Sequence, residues 1–400
     1  MKYKLTQRKY SWIMATKQKK GSRQKRSRHW GIKLAVAALV LLVGVTFIPA
    51  MFIPAGPIGD TYLALVGARK RSVELAKETG ETAVTKVAAE VSERRETGSS
   101  TANTDQLTIC SFNIQFLGSS KSRDDVALAS ILKGYDVVVV QELVSPPHPA
   151  LFPDGSPVKP DPEAAEFFDA MKDLGFDYWL SEEDTGTGDR HHNNGSATEW
   201  WVVFYRDDNV DRAMDLPHGF LADDRSNHDD YERVPYAFSF RASEGMTDFV
   251  LISVHLQPGS GRKDKARRKH ELGAISGWIG ANDAFEKDFI ILGDCNIENA
   301  GELTDTTPDG FMSLNDECRS TNTNVNGPKP YDHIFYRPES TPEMDTGFDM
   351  AVVDLVKAMQ PMWHETATFP GEPYRHNEFR KWYSDHNPVV FRLHVEKDDD

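Results

Sequence analysis

The sequence predicts an α/β domain whose sheets are buried beneath helices, set behind a single apolar span near the N-terminus. Three observations carry that expectation. Short, β-branched, wholly apolar runs recur after residue 106, as in "YDVVVV", "DFVLISV" and "DFIILG", and runs of this length bounded by turn residues read as buried strands. Helical patterns at 124–133, 163–174 and about 264–280 lie between some of them, the alternation expected of sheets covered by helices. Residues 34–53, "LAVAALVLLVGVTFIPAMFI", carry no charge, and twenty residues at 1.5 Å rise span a bilayer core of about 30 Å.

Taken in chain order, residues 1–33 form a basic segment with 12 Lys/Arg and no Asp/Glu. That charge in front of the apolar run at 34–53 is expected to hold the N-terminus in the cytoplasm and place the rest of the chain across a lipid bilayer. A cleaved signal sequence is the alternative, giving a secreted protein, although the apolar stretch is longer than a signal core and no clean A-x-A site follows it. Residues 54–105 read as a stalk: an Ala/Glu/Lys-rich stretch and then the linker-like "TGSSTANTD". The folded domain is expected over 106–395. Residues 100–400 carry 27 Lys/Arg against 54 Asp/Glu, which argues against indiscriminate electrostatic binding of nucleic acid but leaves room for a local basic groove. Three cysteines, Cys110, Cys295 and Cys318, are too few for a disulfide scaffold.

The strands share one further property. "LTICSF" meets Asn113; "YDVVVV" ends at Gln141 and Glu142; "DFVLISV" ends at His255; "DFIILG" ends at Asp294, with Asn296 two residues on. Asp332 starts "DHIFY", and Asp385 and His386 precede "NPVVFRLHV". Any one of these is an ordinary turn residue. Six elements ending in carboxylate, amide or imidazole form a set whose convergence would supply metal ligands and acid–base groups together. Oxygen donors without cysteine or several histidines favour Mg2+, Mn2+ or Ca2+ over Zn2+.

In that order, "SFNIQFLG", "VVVVQEL", "LISVHLQP", "IILGDCNI", "YDHIFY" and "YSDHNPVVF" resemble the endonuclease/exonuclease/phosphatase superfamily, and within it deoxyribonuclease I most closely. The resemblance implies a four-layer α/β sandwich, two packed mixed sheets flanked by helices, with a divalent-metal phosphodiesterase site at one edge. It implies a role for each motif residue. Glu142 is the principal metal carboxylate with Asn113 beside it, and Asp385 is a second carboxylate of that metal site. His255 and His386 flank the scissile phosphate, oriented by Glu199 and Asp332 respectively. Asp294 and Asn296 position the attacking water and hold a phosphate oxygen, and Arg233 in "YERVPYAF" is a phosphate contact. Glu199 stands seven residues before Arg206, as the family's spacing requires.

The implied enzyme is a Mg2+- or Mn2+-dependent nuclease acting outside the cytoplasm, with DNA favoured over RNA. The alternative is a phosphatase, or a phospholipid or inositol phosphate hydrolase, of the same superfamily. A binding module without activity would be expected to lack some of these carboxylates or histidines, and none is missing. Two positions depart from deoxyribonuclease I: Val144 stands where an arginine enters the minor groove, and Ala197 where a tyrosine packs on the sugar. Both remove DNA contacts without touching the phosphate chemistry. The proline-rich 145–162 reads as a stiff loop bordering the site. His191 and His192 stand in a polar loop, open to solvent, substrate or a further metal. "GRKDKARRKHE" (261–271) places six Lys/Arg just after His255, either a solvated helix start or a guide for phosphates.

Overall fold

The computed structural model describes residues 105–152, 155–185, 198–224, 228–245, 247–362 and 375–395. The basic segment, the apolar run at 34–53, most of the stalk, Ala197 and the His191–His192 pair lie outside the described residues. Among the described residues no helix is long and apolar enough to cross a membrane.

The first half runs β1 (Gln106–Leu117), α1 (Asp125–Leu132), β2 (Val137–Leu143), β3 (Ala150–Leu151), β4 (Pro157–Val158), α2 (Pro162–Asp173), β5 (Asp177–Leu180), β6 (Trp200–Tyr205), β7 (Val210–Arg212) and β8 (Gly219–Phe220). The second half adds β9 (Tyr236–Ala242), β10 (Asp248–His255), α3 (Arg262–Asn282), β11 (Phe289–Asp294), α4 (Ala300–Thr306), β12 (Met312–Ser313) and β13 (Asp332–Tyr336). It closes with β14 (Ala351–Val352), α5 (Leu355–Met359), α6 (His376–Trp382) and β15 (Val389–His394).

Two mixed sheets result, in the orders β14-β15-β1-β2-β6-β5 and β12-β13-β11-β10-β9-β7. The period of two along each strand decides how they pack. On β2, Val137 and Val139 face the partner sheet, while Val138 and Val140 face helices; on β11, Ile290 and Leu292 face inward and Phe289 and Ile291 outward. The inner faces share one core with Trp201, Phe238, Leu251 and Phe391. Phe167 of α2 and Phe379 of α6 cover the outer face of the first sheet; Leu272, Ile275 and Ile279 of α3 cover the second. Strands buried on both faces have no polar face to alternate, and hence the uniform Val/Ile runs.

The helices start where local chemistry places them. Asp124 accepts from Ala127 N (3.1 Å) to cap α1, and Asp161 accepts from Glu163 N (2.9 Å) with Pro162 in the first turn of α2. Asp264 accepts from Gly261 N (2.9 Å) at the start of α3. The proline-rich segment holds the small β3–β4 hairpin, in which Ala150 pairs with Val158.

Candidate active site

Strand register aligns the site. In the parallel β10–β11 ladder His255 lies opposite Asp294, and in the antiparallel β11–β13 ladder Asp294 lies opposite Asp332. One row across the second sheet thus sets His255, Asp294 and Asp332 side by side. In the first sheet Asn113 lies opposite Gln141, with Glu142 next along β2. Gln141 ties the two sheets by donating to Ser253 Oγ (3.2 Å), and Asn113 Nδ2 crosses between them to Asp294 Oδ2 (3.1 Å). Gly293 makes the row possible: its φ is +138°, and a Cβ there would meet Val254 O at 2.2 Å.

Every expected site residue except Asp385 and Asn296 meets another of the set directly through its side chain. His255 Nε2 and His386 Nε2 lie 3.4 and 3.5 Å from the same Asp294 Oδ2, so one carboxylate faces both imidazoles. Behind them, Asp332 Oδ2 holds His386 Nδ1 at 2.8 Å, and Glu199 Oε1 holds His255 Nδ1 at 2.8 Å, the latter with an angle short of ideal hydrogen-bond geometry. Asn113 Nδ2 also donates to Glu142 Oε1 (3.0 Å). Asn296 contributes its backbone N–H to Asp294 Oδ1 (2.9 Å), while its side-chain amide donates to Leu256 O (3.1 Å). Asp385 Oδ2 accepts from Gln115 Nε2 (2.8 Å) and lies 3.4 Å from Arg380 Nη1. Arg233 sits beneath the site: it is 5% exposed, with Nε 2.8 Å from Glu199 Oε1 and Nη1 donating to His255 O at 3.2 Å. Its place is therefore behind the first histidine rather than on an open phosphate surface.

The donors fit a hard divalent cation. The buried oxygens Asn113 Oδ1 and Asp385 Oδ1 have no hydrogen-bond partner among the described residues; the Asn113 amide is bonded to Glu142, and the Asp385 charge acts on the same carboxylate. Unpaired buried acceptors are costly unless a cation completes them. Ligand atoms of Glu142, His255 and Asp294 also lie within 4.8 Å of one another, as do those of Asp294, Asp332 and His386. Glu142 itself has φ +65°, a left-handed conformation that a non-glycine residue adopts at some cost and that aims its carboxylate inward.

Electrostatics separate the two histidines. Burial presses His386 down, but Asp332 and Asp294 outweigh it and raise its pKa well above the ordinary imidazole value. Burial and the Arg233 charge both press His255 down, and Glu199 with Asp294 leave it raised. Glu199, despite burial, is held below the usual carboxylate range by His255 and Arg233. Burial raises Glu142, opposed by His255 and reinforced by the charges of Glu199 and Asp385; a bound cation would relieve it.

His333, whose backbone lies opposite Gly293, is pushed down to about 4 by burial. Its native pKa lies below its unfolded one, so protonation favours the unfolded chain between pH 6.5 and about 4. From pH 7 to pH 5 this residue should cost about 2 kcal/mol of stability. Urea unfolding of His333→Gln at the two pH values should show a smaller loss than wild type by that amount; equal losses would remove His333 from the acid response.

Several supporting residues were assigned no role from the sequence. Gln115, the partner of Asp385, is one. Ser384 is another: its hydroxyl donates to Asn113 O (2.7 Å) and accepts from Gln115 N (3.2 Å), fastening β1 to the loop before β15. Arg123 donates to the carbonyls of Gln115 and Tyr383, anchored by Glu163 Oε1 at 2.6 Å. The basic run after His255 is partly consumed inside the protein. Arg268 is fully buried on Glu302, Lys265 pairs with Glu302 (3.0 Å), and Arg267 donates to His228 O (3.0 Å). Arg262, Lys263 and Lys269 remain exposed.

Paired imidazoles around a carboxylate, with oxygen donors alongside, define a hydrolase of phosphoester bonds. The chain belongs to the Endonuclease/Exonuclease/phosphatase family, whose model matches residues 110–386. No curated protein matches the chain. Similar solved structures include a humanized D. rerio TDP2, 18% identical with a TM-score of 0.43, covering 72% of this chain and 98% of that one. D. rerio TDP2 complexed with single strand DNA product is 16% identical with a TM-score of 0.44, at the same coverage of 72% and 98%. The Bacteroides thetaiotaomicron mannosyl-6-phosphatase Bt3783 is 16% identical with a TM-score of 0.44, covering 71% and 98%.

Proposed function

We propose that this enzyme is a divalent-metal-dependent nuclease, hydrolysing phosphodiester bonds of nucleic acid by in-line attack of water. The observation that carries the reading is the single carboxylate oxygen of Asp294 set 3.4 and 3.5 Å from two imidazoles, each backed by its own carboxylate. A phosphodiester resists attack because it is anionic and its alkoxide leaves poorly. His386, raised furthest by Asp332, is the acid that protonates the leaving oxygen; His255, restrained by Arg233, is the base, and Asp294 aligns the water between them. Glu142, Asn113 Oδ1 and Asp385 Oδ1 would hold the cation, Mg2+ or Mn2+ by donor type, which supplies charge neutralisation at the phosphoryl oxygens. The expected placement of the domain outside the cytoplasm belongs to the same proposal, with DNA as the leading substrate.

The test is a substrate panel of plasmid, single-stranded DNA, RNA, inositol phosphates and sphingomyelin, each with metal or chelator. Metal-dependent fragmentation of nucleic acid is expected. Intact nucleic acid together with rapid release of phosphate or phosphocholine would move the enzyme to the phosphatase or phospholipid side of its family. Glu142→Gln should raise the metal concentration for half-activity by about ten-fold or more, as loss of a ligating carboxylate does. An unchanged metal dependence would remove Glu142 from the metal site.

A further inference from the structure

Phe116 is out of keeping with its neighbours. Ile114 and Leu117 are fully buried, whereas Phe116 is 36% exposed. Its φ is +52°, a conformation a bulky residue rarely adopts and that Gly or Asn would take at lower cost. Neither the core nor the backbone explains a phenylalanine here. The position is nevertheless held firmly, since Phe116 N donates to Glu142 Oε2 (3.0 Å), Phe116 O accepts from Ser119 N (3.1 Å), and Val144 N donates to Leu117 O (2.8 Å). Two non-glycine residues in left-handed conformations, Phe116 and Glu142, are thus joined by a hydrogen bond at the site, and strain of this kind collects where a side chain is displayed for a ligand.

A chain of contacts leads from the neighbouring residue to a cation. Gln115, adjacent in the chain, binds Asp385 Oδ2, and the same oxygen lies 3.4 Å from Arg380 Nη1 on α6. The Arg380 side chain is 39% exposed, and a pair this open holds its cation only weakly. Chain adjacency and these two contacts thus link the ring, the amide, the carboxylate and the cation. A nucleotide presents a flat π face and an anionic phosphate in comparable succession.

Resting on the nuclease reading, we propose that Phe116 and Arg380 form a nucleotide subsite beside the scissile phosphate. The ring of Phe116 stacks on an unpaired base, Arg380 takes the neighbouring phosphate, and single-stranded nucleic acid is the preferred substrate. Stacking needs the face of the base, which its neighbours cover in a duplex, and base–aromatic stacking tolerates any sequence.

The test pairs enzyme variants with substrates, using the full chain with Mg2+. Wild type should cleave a single-stranded oligonucleotide at least ten-fold more efficiently than the same strand carrying abasic residues, with the difference in KM. That preference should collapse in F116A and return in F116Y and F116W. R380Q should lower the slope of log KM against log salt by about 0.7, one phosphate contact on a single strand. A wild-type preference that survives in F116A, or a salt slope unchanged in R380Q, overturns the subsite and leaves the nuclease reading standing. Cleavage of phospholipid vesicles with every oligonucleotide intact overturns both. Failure of F116Y and F116W to restore what F116A loses, with circular dichroism unchanged, also overturns the stacking role.

Discussion

His386→Ala should lower turnover by at least two orders of magnitude, the scale on which general acid–base groups contribute. The ring is 6% exposed in a polar cleft, and the parts it leaves behind, Asp332 and Asp294, are both acidic. The loss is therefore expected in kcat, with substrate affinity less affected. Asp332→Asn separates two roles. It leaves the imidazole in place but removes the charge that holds His386 in its charged form, so the alkaline limb of the pH–rate profile should shift to lower pH. His255→Ala should also lose two orders of magnitude. Near wild-type turnover in His386→Ala, with metal dependence intact, would remove that residue from the chemistry.

Arg268→Met should be the most damaging change away from the reacting groups. The Arg268 side chain is 0% exposed; Nε donates to Glu302 Oε1 at 2.9 Å, and Nη1 donates to Gln257 O and Gly259 O at 2.8 Å each. Breaking a buried ion pair from one side typically costs about 3–5 kcal/mol, because the remaining charge stays buried and unpaired. Lys265 remains on Glu302 and softens the loss, but two carbonyls of the loop after His255 go unsatisfied. Urea unfolding should show a drop of about 3 kcal/mol. Adding Glu302→Gln to Arg268→Met should recover part of it, since the stranded charge is gone. A loss below about 1 kcal/mol would show that water reaches the pair and that it behaves as an exposed one.

The sequence already displayed what local pattern can encode. Val137–Val140 and Phe289–Leu292 announce strands covered on both faces, and the polar residues that end them, Glu142 and Asp294, stand in the site. His255 and His386 follow the same logic, and the family's order fixed Glu199 and Asp332 as their partners. Partnerships between distant residues were not legible. Nothing near Gln115 in the chain points to Asp385, 270 residues away, nor anything near Arg123 to Tyr383. Arg233 shows the limit from the other side: the motif marked it as important, but only burial and geometry place it behind His255. Half of the basic run 261–271 turns inward for a similar reason, since α3 packs that face on Glu302 and the 228–229 carbonyls.

The row His255–Asp294–Asp332 has a consequence for how the enzyme fails. Its spacing is set by the register of β10, β11 and β13, neighbouring strands of a covered sheet, where backbone amides are expected to be the slowest to exchange with deuterium. Catalytic spacing and global stability thus rest on the same ladder. The reacting groups hold their geometry until cooperative unfolding, so activity and the slowest-exchanging amides should disappear together along a denaturant series. Arg380 stands outside that ladder, on the short helix α6, where local opening needs less energy than unfolding of the sheet. Substrate preference can therefore drift under mild denaturant, or over evolutionary time, while the machinery for breaking the phosphoester bond remains as it was.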